Sequence, residues 1–315
     1  MENDKLIFGL AGRHYRDIVH VFRRYPHIEQ VLIFGSRAKG EDKPYSDIDL
    51  AVVAPNMDDQ EFSRLWNELD ALELVFKLDV LHLDKLGQQR LKDSIMTHGQ
   101  YFYPRSMERF LEVREAIYDH FQGSSAGPEI FFKAENRDRY AAYYTSMYLL
   151  QDVGEALCQH RLKGFSKVPL QAYLEFWGIM QALIIQQEAI CEIYHAITGS
   201  KLGIRKDSDW NRLRDLRNQS AGHPAKRDHN VTLTRTFMGR DFGDYPAVTM
   251  EVWHAETDSR THPRINLASM MDAYEKEAVG YLQEILAFMQ EQWPLGDVAS
   301  CTESSASTID VCINI

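Results

Sequence analysis

Two aspartates one residue apart, Asp47 and Asp49, lie in the run SDIDLAVV, and a third, Asp79, lies in FKLDVLHLD. Along a strand, side chains at i and i+2 point the same way, so Asp47 and Asp49 share one face while Ile48 and Leu50 fill the other. Acids are poor strand formers, and two carboxylates roughly 6–7 Å apart repel unless something positive sits between them. A hard divalent cation such as Mg²⁺ does this, taking one or two carboxylates together with substrate phosphates. Asp79, on a neighbouring strand, would complete the group as a metal ligand or general base. Asp84 is the alternative third acid, and it also suits a turn or helix cap. Ahead of the pair stands VLIFGSRAKG. Gly35 lets the backbone approach a ligand closely. Ser36 can cap the helix that follows, whose free N–H groups would hold phosphate oxygens. An anion cradle, a metal-binding pair of acids and a third acid make the set needed for two-metal phosphoryl or nucleotidyl transfer.

The elements that must carry these residues follow from periodicity. Leu10 to Arg24 has helical spacing and is ended by Pro26. Val31 to Phe34 reads as a short buried strand, Ser36 to Lys39 as a first helical turn, and Asp47 to Val53 as a second strand. Asp59 to Leu74 is helical, Val75 to Leu81 is a third strand, and Leu86 to Thr97 is a closing helix. Together they make a small α+β unit with one mixed sheet, handed over near Tyr101 and Tyr103 to a second, mainly helical part.

That second part contains helices over Met107 to Phe121, Asn136 to His160, Pro169 to Thr198, Trp210 to Gly222 and Leu267 to Trp293, with a flexible break at GSSAGP, Gly123 to Pro128. Pro169 to Thr198 is apolar nearly all round and is expected to be the buried central helix. Val231 to Phe237 and Val248 to His254 alternate and are β-branched, which predicts a β-hairpin set into the bundle. The expected organisation is residues 1–105, then 106–297 with the hairpin at about 229–256, then a mobile Ser-rich tail at 298–315.

The helical part carries a second constellation, DLRNQSAGHPAKR. Arg217 and His223 stand about 120° apart on a straight helix. Gly222 terminates helices readily, however, and a residue before proline avoids the helical region. His223 is therefore expected to swing off the helix end, where the dipole favours its protonated form. Arg and His together suit metal-free RNA cleavage, with His moving protons and Arg stabilising phosphate charge. The same residues also suit a helix C-terminus that is merely basic. Lys201, Arg205, Lys206, Arg212 and Arg214 add a local basic stretch that is the best RNA footprint in the chain, or else a solvated loop.

GSRAKG followed by SDIDL and a later strand aspartate resembles the minimal (MNT-type) nucleotidyltransferases of the polymerase-β superfamily, over about residues 10–104. The resemblance implies that Gly35 and Ser36 hold a nucleoside triphosphate, usually ATP. It implies that Asp47 and Asp49 bind Mg²⁺, with two ions expected, that Asp79 completes the triad, and that AMP passes to an acceptor hydroxyl. Arg37 would be a phosphate contact or a fold-stabilising one. RNQSAGH, preceded by the helix FWGIMQALIIQQEAICEIYHAI, resembles the HEPN helical-bundle family over roughly residues 107–293. That family's Arg-x4-6-His motif, with a polar residue (here Asn218) after Arg, is the active site of its ribonucleases, and its sites usually meet at a dimer interface. MNT and HEPN proteins are usually separate chains of a toxin–antitoxin pair, whereas here they are fused. HEPN toxins modified by an MNT partner carry a tyrosine shortly after the His. Here Pro224, Ala225, Lys226 and Arg227 follow, and the nearest downstream tyrosine is Tyr245.

The formal charge of −11 excludes a general polyanion binder. The four cysteines form no CxxC pair, which argues against a zinc site or disulfide framework. The acidic N-terminus lacks a signal peptide's features and no run is long enough to span a membrane, so a cytoplasmic protein is expected. The reading is a Mg²⁺- and ATP-dependent nucleotidyltransferase acting on a protein tyrosine or tRNA. It is joined to an RNA-cleaving or RNA-binding bundle that forms a homodimer. Two competitors stand beside it: an aminoglycoside-type nucleotidyltransferase with a helical substrate domain, and a non-catalytic nucleotide sensor with a dimerising module.

Overall fold

In the computed structural model, residues 7–295 apart from 44, 230 and 231 are described. The expected tail at 298–315 and the expected strand start at Val231 lie outside the described residues. The chain divides into two compact units. Of the described residues, one unit holds those up to Glu108 with Cys158–Gly164, and the other holds Arg109–Leu157 with those from Phe165 to Leu295.

The first unit is built on α1 (Gly12–Arg23), β1 (Gln30–Phe34), α2 (Gly35–Lys39), β2 (Ile48–Val53), α3 (Asp59–Asp70), β3 (Leu78–His82), α4 (Gln89–His98) and β4 (Gln100–Pro104). Its sheet runs β3-β2-β1-β4. β2 is antiparallel to β1 and parallel to β3, so the sheet is mixed, as the sequence led one to expect. Leu32, Ile33, Leu50, Ala51 and Val52 are buried in it, covered by Ile18, Val19 and Phe22 of α1 and Leu65 and Leu69 of α3. Strand β4 was read only as a hand-over point. Its Tyr101, Phe102 and Tyr103 are all buried, and the Tyr15 hydroxyl donates to the Phe102 carbonyl at 2.8 Å. A run of three aromatics with no polar alternation is a strand covered on both faces.

The second unit contains α5 (Arg105–Gly123, entering from the first unit), α6 (Ala126–Phe131), α7 (Arg137–Lys163, whose residues from Cys158 on belong to the first unit), α8 (Pro169–Thr198), α9 (Asp209–Arg217) and α10 (Leu267–Gln292). The expected break at Gly123 to Pro128 is mostly the start of α6; only Ser124 and Ser125 separate the two helices. α8 buries Phe176, Met180, Leu183, Ile184, Ile190 and Ile193. It is not buried all round, because Leu170, Leu174 and Trp177 form an exposed stripe on its first turns. Trp210 of α9 is fully enclosed, its ring 5.7 Å from Tyr274 and 5.4 Å from Tyr281. β5 (Arg227–His229), β6 (Thr232–Phe237), β9 (Glu251–His254) and β10 (Ser259–Thr261) make a four-stranded sheet. β7 (Gly243–Asp244), β8 (Ala247–Thr249) and β11 (Arg264–Ile265) make a second sheet of three. The two expected hairpin segments do pair, β6 with β9, but the expected single strand Val248–His254 is broken at Met250 and shared between two sheets. Among the described residues no helix is long and apolar enough to cross a membrane.

Candidate active site

The acidic group forms at the ends of β2 and β3. Asp49 pairs in register with Phe34 on one side and with Asp79 on the other. Asp47 lies just before β2 and is exposed. Neighbouring strands run about 4.8 Å apart, so the Asp49 and Asp79 side chains are cross-strand neighbours on one face. Burial, then Asp79 and Asp47 as like charges, raise the pKa of Asp49 above the usual carboxylate value, against the opposing pull of Lys77 and Arg37. The three acids therefore sense one another, and Asp49 is at the centre.

Gly35 is fitted to Asp49. It has φ +72°, and a Cβ built on it would lie 2.2 Å from Asp49 Oδ2. Only a residue without a side chain leaves that carboxylate its place. We expect Gly35→Ala to cost about 1–2 kcal/mol from the left-handed backbone alone. Displacing Asp49 by even ~1 Å should lower any activity of this site about a hundredfold. Urea unfolding and initial rates read the two effects separately. Ser36 is not a helix cap. The N-cap of α2 is Phe34, which makes no side-chain capping bond, and Ser36 lies inside the helix. The helix begins two residues earlier than a Ser36 cap would give, because Gly35 itself makes the bend.

Of the two roles expected for Arg37, its contacts here are those of the fold-holding one. Arg37 is 4% exposed. Its guanidinium donates to the carbonyls of Phe8 (2.9 Å), Ser46 (2.7 Å from Nη2) and Asp47 (3.1 Å), pairs with Asp42 at 3.5 Å and stacks over Phe76. It clamps the loop that delivers Asp47 and Asp49 into β2. Asp84 is engaged elsewhere, its Oδ2 accepting the Ala54 N–H at 2.7 Å, which ties off the end of β2.

The residue that the motif did not flag is Lys77. Its Nζ lies 2.5 Å from Asp79 Oδ1, and Asp79, Asp47 and Asp49 together raise its pKa. The signal was present in K-L-D, a cation two residues before an acid on the same strand face. Among the described residues no three Asp, Glu, His or Cys side chains close on one point as a metal cage would. The donor set nevertheless fits a hard divalent cation: three carboxylates and no nitrogen or sulfur ligand, beside a glycine whose missing side chain keeps Asp49 in place.

In the second unit, α9 does not run straight through to Gly222. It gives way at Asn218 to a single π-helical turn, Asn218–Gly222, closed by the His223 N–H donating to the Asn218 carbonyl at 2.8 Å. π turns recur at functional sites. The wider turn brings Gly222 onto the Arg217 guanidinium, so that a Cβ there would lie 2.7 Å from Arg217 Nη1. Arg217 also donates to Asn218 Oδ1 at 3.0 Å and to Gln181 Oε1 of α8 at 2.7 Å. His223 follows Gly222 with φ −134° and ψ 47°, off the helix and exposed. Tyr245 is buried, its ring stacked on Phe165 at 4.8 Å, so its hydroxyl is not presented as an acceptor.

Residues 16–108 match the family model described as polymerase beta, nucleotidyltransferase. The match spans the GSRAKG and SDIDL segments and Asp79, and it identifies this stretch as a nucleotidyltransferase domain of the polymerase-β superfamily. The match supports a nucleotidyltransferase activity for this domain. No curated protein matches the chain.

Proposed function

We propose that the protein transfers a nucleoside monophosphate, AMP from ATP, to a hydroxyl of RNA or protein, and that this reaction restrains an RNA-directed helical unit in the same chain. The observation that carries the first half is the register of Asp49 against Asp79 beside Gly35, within a polymerase-β-type domain. In the reaction the acceptor oxygen bonds to the α-phosphorus, the bond from that phosphorus to the bridging oxygen breaks, and pyrophosphate leaves. A divalent cation held by Asp47, Asp49 and Asp79 would supply Lewis-acid stabilisation of phosphate charge. Gly35 and Ser36 offer backbone N–H groups beside those acids, and Asp79 is the group placed to take the acceptor's proton.

The second half rests on the π turn that leads from Arg217 and Asn218 to His223, with Gly222 against the Arg217 guanidinium. It reads the second unit as an MNT-partnered, HEPN-like bundle in a toxin–antitoxin-like module. The exposed stripe Leu170, Leu174 and Trp177 runs along α8 toward Gln181, the partner of Arg217. It suits a homodimer contact next to that motif. With Tyr245 buried, a hydroxyl on RNA or on another tyrosine is the better acceptor.

The coupling is tested with purified protein and total tRNA. Cleavage is expected without ATP, to be lost in His223→Ala, and to fall after incubation with Mg²⁺ and ATP in the wild type but not in Asp49→Asn. Gly222→Ala should mimic Arg217→Ala in this assay while changing stability by less than about 1 kcal/mol, because the contact it disturbs is the far end of a flexible side chain. Intact tRNA under every condition would remove the ribonuclease half. The aminoglycoside reading would then be tested with the drugs as acceptors.

A further inference from the structure

We propose that Lys77 is a positioning residue that holds Asp79 apart from Asp47 and Asp49, so that the third arm of the acidic site closes only when a divalent cation displaces the lysine. The inference rests on the nucleotidyltransferase reading above and adds to it a residue that governs how tightly the site takes its cation. Asp49 and Asp79 are directly paired across parallel strands, a placement that lets two carboxylates face one point. Yet no three acidic side chains among the described residues close together, and Asp79 Oδ1 is instead 2.5 Å from Lys77 Nζ. Lys77 sits at the entry to β3, where its backbone carbonyl accepts the Ile48 N–H at 2.8 Å. The backbone of the lysine is thereby anchored between the two strands that carry the acids, while its ammonium remains exposed to solvent. Arg37, the other nearby cation, is committed to backbone carbonyls and does not compete for Asp79.

Three consequences of removing the ammonium have the same sign. A competitor for Asp79 disappears, a positive charge that repels the incoming cation disappears, and the three carboxylates lose the charge that offsets their mutual repulsion. Each favours cation binding. A single charge about 5 Å from a divalent ion in water-like surroundings corresponds to about a tenfold change in affinity. The ammonium is solvent-exposed, so the effect should shrink as salt is raised.

The test is Mn²⁺ binding by the full chain, followed by loss of the free-ion electron paramagnetic resonance signal, in wild type, Lys77→Met, Lys77→Arg, Asp79→Asn, Lys77→Met/Asp79→Asn, Asp47→Asn and Asp49→Asn. None of these changes touches the backbone bond from Ile48, and thermal melts check that each variant is folded. Lys77→Met is expected to bind Mn²⁺ about tenfold more tightly at low salt, and Lys77→Arg to stay near wild type. In the Asp79→Asn background the Lys77→Met effect should be clearly smaller, because the competition for that acid is gone and only the direct repulsion of the cation remains. Equal or weaker binding by Lys77→Met, with binding still dependent on Asp47 and Asp49, overturns the role of Lys77 and leaves the active-site reading intact. Binding that ignores Asp47→Asn and Asp49→Asn, or no binding by any form, overturns both.

Discussion

Asp49→Asn is expected to remove nucleotidyl transfer by about a thousandfold or more, the several kcal/mol that charge stabilisation at a phosphoryl centre supplies. It should do so without unfolding the protein. Asp49 is half-buried between Gly35 and two further carboxylates, and those like charges together with its burial hold its pKa above the ordinary value. The folded protein therefore keeps a proton that the unfolded chain has already released. In that window, just above the ordinary carboxylate range, stability falls as pH rises, and the lost stability is not recovered at neutral pH. An asparagine has no charge to bury and fits the same space. Asp49→Asn should thus be as stable as wild type or slightly more so at neutral pH, and its stability should lose the part of the pH dependence that Asp49 contributes. Urea midpoints between pH 4 and 8, set beside the rate, check both halves. A variant that is inactive because it is unfolded would count against Asp49 as a functional group.

The opposite pattern is expected at Arg37. Replacing it by methionine leaves the carbonyls of Phe8, Ser46 and Asp47 without their donor and Asp42 without its partner, all around a nearly buried side chain. Removing one member of such a network costs about 3–5 kcal/mol. Activity should be lost along with the fold, because the loop that Arg37 clamps is the one that carries Asp47. Arg37→Lys keeps the charge and loses the fork, and should recover only a minor part of the stability. The urea midpoint of the first unit's transition is the measurement. A midpoint that stays near wild type, with only the apparent nucleotide affinity changed, would return Arg37 to the role of a phosphate contact.

Much of the first unit was legible because its signals are local. VLIF and IDLAVV are apolar runs bounded by turn residues, and the strands β1 and β2 follow from them directly. What was not legible depended on tertiary partners. Nothing in GSRAKG says that the arginine will turn inward, since its partners are carbonyls nine and ten residues downstream. The YFY strand carries no alternation because both of its faces are covered. β7 and β11 are two residues long, and no periodicity can be read from two residues. The π turn at Asn218 is invisible to a 3.6-residue template, although it brings Gly222 up against Arg217. Lys77 is illegible for a different reason: in the sequence, a cation beside acids reads as an ordinary surface lysine.

The most direct measurement is a pair of parallel incubations of the protein with Mg²⁺ and tRNA, one with ATP labelled at the α-phosphate and one with the label at the γ-phosphate. The expected result is α-label covalently attached to RNA or protein, γ-label appearing only in pyrophosphate, and neither seen with Asp47→Asn/Asp49→Asn. Attachment of the γ-label instead, or α-label attached equally well by the doubly substituted protein, would contradict the assignment of Asp47 and Asp49 to nucleotidyl transfer.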